Sequence, residues 1–465
     1  MSDHYTGQGN RVSETLPLNN VEKRTVGDGG LRRRHPADFM VAVLLVGGFF
    51  LGPLKLLGTS WLSYLGADGF AFLTLLVVFR ERIATRKPLL AESPLSVPLL
   101  LLAAFCVLEL ANPEAPFIRS VLGLRSWVMY LGFYFVGLYT LRSVGQLERL
   151  YALLLSLGVL TAVYGVFQLE VGPQSFANWS EYYGQYAGLT WSARGGVVFR
   201  AFSTFVTPGA FGGNMSLLMF LAFSATACPS LRPRWRILGA AAFVVMGVGI
   251  AASGSRGALA HLILAGALAL ALISGVGPRA RAALIGVLTA GVAVVAVVFL
   301  IGTVISERFS TIFDPQAFFW KWFGPLTDGI RVAYSYPFGM GLGYTAGVPK
   351  FIANPVIRSL PAANIDSGYG SAAAELGFLG LGFFVYFSLN VAIHGFRSWK
   401  QLRPGRLRDL LLGPALYAIT YPIVSLVFQP QAALPSSIYS WLLIGILIKA
   451  PVLEKKADAD QLLGT

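Results

Sequence analysis

The sequence predicts an all-α polytopic membrane protein of about twelve transmembrane helices, with two long loops on its outer face. Composition, periodic apolar runs and the placement of basic residues carry this reading. Of 465 residues, 55% are hydrophobic and only 12% charged, with a mean hydropathy of +0.64. A soluble domain carries about 25% charged residues. Too little polar material remains to face water, so lipid must solvate most of the surface. The net charge of +14 does not indicate nucleic acid, because the basic residues come in short clusters between apolar runs, which is a topology signal.

Residues 1–37 are polar, rich in Gly, Asn and charge, and read as a disordered cytoplasmic tail. The transmembrane domain is expected over 38–450, and 451–465 as a second cytoplasmic tail. Within the domain, spans are expected at about 38–57, 61–79, 95–111, 120–140, 148–171, 209–228, 237–253, 257–275, 282–305, 371–393, 410–428 and 434–450. Each is close to the roughly 20 residues that cross the hydrocarbon core. Starting from the first tail, every second gap is basic: Arg32 to Arg34, then Arg80 to Lys87, Arg142 and Arg149, Arg232 to Arg236, Arg279 and Arg281, Arg397 to Arg408, and Lys449 to Lys456. Positive charge collects on the cytoplasmic side, so both termini are placed inside. The remaining cations are Lys55, Arg119, Arg125, Arg194, Arg200, Arg256, Arg308, Lys321, Arg331, Lys350 and Arg358. They oppose the topology signal and call for local reasons.

Two outer, periplasmic loops are long, at about 172–208 and 306–370, and both are rich in Gly, Pro and aromatic residues. Loops of this length are usually functional or disordered, and their aromatic content argues for order. Short helices at the membrane surface are expected in them. No internal repeat marks two matched transporter halves.

Arg194 and Arg200 precede the sixth span, Arg256 lies in the turn SGSRGALAH, and Arg331 lies in the second long loop. Guanidinium binds phosphate oxygens in pairs, so these positions suit a pyrophosphate at the membrane face. Snorkelling to headgroups is the competing explanation, favoured for Arg308 and Arg358. Small residues around Arg256 permit close approach of a ligand or helix. PFGMGLGYTAG (337–347) alternates three glycines without a βαβ context, so it reads as a tight turn re-entering the membrane. In NIDSGYGSAAAELGFLG (364–380), Asp366 precedes the tenth span as either a general base or a helix N-cap. Glu375, about two turns into that span, is a costly buried carboxylate with a functional or paired role. His261 reads as a packed, neutral core histidine. Cys106 and Cys228 form no metal or disulfide pattern, and Asp458 and Asp460 belong to the solvated tail. No metal and no cofactor is expected.

In their order, the motifs resemble those of the O-antigen polymerase and O-antigen ligase superfamily of bacterial polysaccharide assembly, from about residue 110 to 400. LGLRSWVMYLGFYFVG from 122 resembles the Arg-led fourth span, and YGVFQLEVGP from 164, with Gln168, resembles a Gly-x-x-Gln span end. FRAFSTFVTPGAFGG from 199 is similar to an Arg-x-x-Gly-Thr-Phe stretch, with Ser203 and Gly209 in place of Gly and Asn. SGSRGALAHLILA from 253 resembles the Ser-Arg-Gly element, and SERFSTIF from 306, PFGMGLG from 337 and the run from Asp366 to Gly380 resemble the large outer loop and its return. The resemblance implies a GT-C-like fold in the bacterial inner membrane and transfer of a glycan from undecaprenyl diphosphate to a sugar hydroxyl. Arg200 and Arg256, with Asp366, would be catalytic. Arg194, Arg331, Glu375 and Gln168 would bind substrate. It also implies membrane lipid, a chain-length regulator and a flippase as partners. Where the ligase branch has His-Asn, this chain has Asp366-Ser367, and neither long outer loop contains His. Polymerase is therefore favoured over a ligase that moves finished glycan to lipid A core. A secondary transporter of a small solute is the alternative from another class.

Overall fold

The computed structural model describes residues 36–462 except 57–59, 89–92, 142, 172–189, 194–195, 273–313, 346–364 and 433. The first 35 residues, the expected span at 282–305, Arg194 and large parts of both long loops lie outside the described residues. The helices are α1 (Pro36–Phe49), α2 (Leu51–Leu56), α3 (Ser60–Ala84), α4 (Ser96–Leu108), α5 (Phe117–Leu124), α6 (Phe133–Thr140), α7 (Val144–Val171), α8 (Pro208–Ala227), α9 (Pro233–Ser253), α10 (Arg256–Leu272), α11 (Pro315–Ser335), α12 (Gly368–Gln401), α13 (Arg406–Leu410), α14 (Leu412–Val427) and α15 (Ser436–Leu462). Every expected span except 282–305 falls on one or more of them. Among the described residues, six helical segments are long and apolar enough to cross a membrane: Phe117–Thr140, α7, α8, α9, α12 and Ser436–Lys455. Shorter apolar helices occupy Asp38–Phe49, Ser96–Ala111, Arg256–Ala269 and α14.

The pattern on α7 shows what solvates this bundle. Leu160, Val163, Phe167 and Val171 recur every three or four residues and are exposed, whereas Gly158, Thr161, Gly165 and Gln168 on the opposite face are buried. A water-soluble helix does the reverse. Lipid tails offer no hydrophobic reward for burying Leu or Phe, so small and polar residues go to the helix contacts. At the α6–α15 contact, a Cβ on Gly137 would lie 2.1 Å from the Leu442 carbonyl oxygen, and one on Gly445 would lie 2.1 Å from that of Tyr134. Only glycine permits backbones this close. Helix α8 is the central element, buried along most of its length and packed against α7, α9, α10, α14 and α15.

The Phe117–Thr140 segment is not one regular helix. Between α5 and α6 the chain makes a π turn over Arg125–Met129 and a 3₁₀ turn over Tyr130–Gly132. Asp68 on α3 faces this irregularity, with its carboxylate 3.1 Å from Arg125 Nε and accepting from the Tyr130 hydroxyl at 2.6 Å. Ionisable groups at this depth need partners, and here they supply them to each other.

In the first long loop the described part is a β-hairpin rather than the expected short helices. Thr190–Ala193 (β1) pairs antiparallel with Gly196–Phe199 (β2), Thr190 opposite Phe199 and Ala193 opposite Gly196. Thr-Trp and Val-Val-Phe favour extended backbone. In the second loop, where short helices are expected, α11 is one helix of 21 residues, started by Pro315 and capped by Asp314, whose carboxylate accepts from Gln316 N at 3.0 Å.

Arg82, Arg236, Arg403 and Arg406, all expected on the cytoplasmic side, lie at one end of the bundle. There Arg406 Nε sits 2.5 Å from Glu148 Oε1, the Arg82 guanidinium lies over Tyr139, and Arg236 donates to the Thr226 carbonyl. Of the residues singled out for chemistry, Gln168 and Arg256 lie toward the opposite ends of α7 and α9, where Arg200 joins them.

Candidate functional site

Arg200 is placed by the C-terminus of α9. The last carbonyls of a helix lack internal partners. Two of those on α9 are taken by the segment that leads into α8: Arg200 Nε donates to Ser253 O at 3.0 Å and Ala201 N to Ala252 O at 3.1 Å. Gly254 then turns the chain with φ of 58°, and Arg256 opens α10. A Cβ on Gly212 of α8 would fall 2.5 Å from Ser255 Cβ, so α8 packs directly under this turn. A cation in the first turn of a helix opposes the helix dipole. With Arg200 bound to the same turn, the arrangement is a concentration of positive charge beside helix-terminal N–H groups, a setting that attracts anions.

Gln168, buried at the end of α7, fixes the segment that carries Arg200. Its Oε1 accepts from Phe202 N at 2.9 Å and Ser203 N at 2.8 Å. Ser203 has a φ of 51°, where a side chain is uncommon, and its hydroxyl anchors to Thr161 O at 2.5 Å. Gln168 therefore positions Arg200 through the backbone.

Asp366 is exposed and makes no hydrogen bond or ion pair among the described residues. The N-cap of α12 is the next residue. Ser367 Oγ accepts from Gly370 N at 3.1 Å and donates to Ser425 O at 3.2 Å. Gly368 N donates to Phe428 O at 3.0 Å, and Gln429 Nε2 donates to Ile365 O at 2.7 Å. The Phe428 ring reaches 3.3 Å from where a Cβ on Gly213 of α8 would stand. Through Gly212 and Gly213, α8 thus links the Asp366 lip to the Arg256 turn.

Helix α12 is broken at Gly377 (φ 68°, ψ −166°), two residues after Glu375. The glycine tract fills the break. Met340 N donates to Ala374 O at 2.9 Å, and Phe378 N donates to Pro337 O at 3.0 Å. These bonds satisfy the backbone groups that the break exposes, as non-helical backbone inside a membrane domain requires. Gly339, Gly341 and Gly343 all have φ between 82° and 91°. The Glu375 carboxylate ties the tract down: Oε1 accepts from Thr345 N at 2.5 Å and Thr345 Oγ1 at 2.7 Å, and Oε2 accepts from Trp127 Nε1 at 2.7 Å.

Arg331 stands apart, exposed on α11 and paired with Asp328 at 3.5 Å. The packed side of α11 is that of Gly329, where a Cβ would lie 2.2 Å from Gly370 O. His261, below Arg256, is buried between α8 and α14, with Nδ1 3.2 Å from Ser216 Oγ and Nε2 2.9 Å from Thr420 Oγ1. The structure therefore gathers Arg200, Arg256 and Gln168, links Asp366 to them through α8, and keeps Glu375 in the neighbouring tract. Ser203, Ser367, Trp127, Thr345 and Gln429 complete the arrangement without having been singled out. Ser367 alone had a local signal, a good capping residue just ahead of an apolar run. No protein-family model and no curated protein matches this chain.

Proposed function

We propose that the protein is a polysaccharide polymerase of the bacterial inner membrane, with twelve spans, both termini cytoplasmic and its site facing the periplasm. It joins undecaprenyl-diphosphate-linked oligosaccharide units without metal or nucleotide. The observation that carries this reading is the concentration of Arg200 and Arg256 about one helix-terminal turn, against the α10 dipole. In the reaction, an acceptor sugar hydroxyl attacks the anomeric carbon of the donor glycan. The anomeric C–O bond breaks, its electron pair leaves with the diphosphate, and the hydroxyl proton passes to the Asp366 carboxylate. Preorganised cations at the departing oxygens lower such a barrier by several kcal/mol.

The test is a knockout with its lipid-linked glycans analysed, complemented by Arg200→Ala and Arg256→Ala proteins that still reach the membrane. Single repeat units accumulating on undecaprenyl diphosphate support the polymerase. Finished polymer accumulating on that lipid indicates a ligase instead. Polymer of normal length from both variants sinks the role given to the arginines. The break in α12 and the half-buried Asp68–Arg125 pair favour a second reading as a secondary transporter. Unchanged glycans with loss of solute uptake would select it.

A further inference from the structure

Arg119 is a further cation at the functional end of the bundle, and the arrangement just described makes no use of it. It lies in the first turn of α5 with 9% of its surface exposed. A snorkelling arginine would sit on the lipid-facing side. Here that side is formed by Phe117, Ile118 and Val121, all exposed, while Arg119 faces inward with Ser120 and Gly123.

Its surroundings are built around the side chain. The guanidinium carbon lies 4.4 Å from the centre of the Tyr344 ring, and Tyr344 is held by its hydroxyl donating to Glu114 O at 2.9 Å. A Cβ on Gly343 would fall 2.7 Å from Arg119 Cγ, so the tract needs glycine there to let the stem pass. Yet Arg119 Nε is buried without a hydrogen-bond partner, as is the hydroxyl of the adjacent Ser120. No carboxylate answers the charge among the described residues. Glu375 is occupied by Trp127 and Thr345, and Glu109 accepts from Asn112 Nδ2 at 2.8 Å. An aromatic face offsets part of the cost of burying a guanidinium, whereas a planar, two-toothed anion offsets far more.

We propose that Arg119 and Tyr344 form a second anion site, for a phosphate ester carried on a lipid. The exposed apolar face of α5 places the site at the bilayer edge, so a lipid-borne group can reach it. Resting on the polymerase reading, the ligand is the diphosphate of the acceptor strand, while Arg200 and Arg256 take that of the donor. A polymerase holds two lipid diphosphates at once.

The experiment counts undecaprenyl diphosphate bound to the full-length protein in phosphatidylcholine nanodiscs by native mass spectrometry. Wild type is expected to bind two equivalents. Arg119→Ala should bind one, as should the Arg200→Ala, Arg256→Ala double variant. Arg119→Gln keeps the stem over Gly343 and replaces Arg119→Ala if that variant does not fold. Arg119→Lys keeps the charge but not the planar fork, so its second equivalent should weaken at least tenfold. Two undiminished equivalents in Arg119→Ala or Arg119→Gln overturn the proposal. So does Arg119-dependent binding of phosphatidylglycerol without binding of undecaprenyl diphosphate, which assigns the site to bulk lipid. Unchanged glycans in the knockout, alongside Arg119-dependent diphosphate binding, remove the polymerase reading and keep the site.

Discussion

The Trp127 indole donates to Glu375 across 2.7 Å and 248 residues of sequence. With Thr345 on the other oxygen, this bond ties α5's continuation, the glycine tract and the broken α12 together. Glu375→Gln keeps the shape and removes the charge. An amide oxygen toward the two Thr345 donors leaves its NH₂ facing the indole N–H, donor against donor. The expected loss is about 1–3 kcal/mol, read as a lower melting temperature in detergent. Trp127→Phe should cost clearly less in the Glu375→Gln background than in wild type. Equal costs in both would disconnect the two residues energetically.

Gly377→Ala should be the most damaging glycine substitution in α12. The backbone there is open essentially to glycine alone, and a Cβ would meet Pro337 O at 2.1 Å. The expected cost is at least about 2 kcal/mol. Gly382→Ala is the control. No atom lies within 4 Å of its Cβ position, and it sits in regular helix, so it should be neutral or stabilise by up to about 1 kcal/mol. Matching melting temperatures for the two variants would contradict the break.

Asp366 and Ser367 separate chemistry from stability. Ser367→Ala removes the α12 cap and the bond to Ser425 O, with an expected loss of about 1–2 kcal/mol. Asp366→Asn touches an exposed side chain with no partner among the described residues, so the melting temperature should hold to within about 0.5 kcal/mol. If Asp366 is the base, glycan transfer per folded molecule falls in Asp366→Asn and not in Ser367→Ala. The opposite pattern removes Asp366 from the mechanism.

His261 is expected to carry its proton on Nε2. The Thr420 hydroxyl gives its own proton to Leu416 O at 2.8 Å, so it accepts from Nε2–H, and Ser216 donates to Nδ1. His261→Ala should lose about 2–4 kcal/mol through the cavity and the Ser216 hydroxyl left without its acceptor. Nitrogen NMR of the imidazole reports the tautomer directly, and a protonated Nδ1 contradicts the assignment.

Helix positions were legible because an apolar run of about 20 residues has few other uses. The break in α12 was not, since apolar residues continue on both sides of Gly377 and its cause is a tract some forty residues earlier. Asp366 and Ser367 are both good capping residues, and only geometry decides between neighbours. Arg200 and Arg256 stood out because they oppose the charge pattern, and Arg119 shared that signal. Its distinction is the company it keeps, Tyr344 and Gly343, which lie more than two hundred residues downstream. Gln168 reads from the sequence as a substrate contact, and the structure adds that its oxygen serves two backbone N–H groups that no spacing rule reveals.

The bond between Trp127 and Glu375 also sets a timetable for biosynthesis. Translation at about 5–20 residues per second needs roughly 12–50 s to cover the stretch between them. During that interval the Phe117–Thr140 segment waits with its indole N–H unanswered and Gly123 unpacked, because Gly343 and Leu342 are also still to be made. Assembly of this end of the protein is therefore a late event, and a nascent chain stalled before residue 375 should remain open to intramembrane proteolysis around α5.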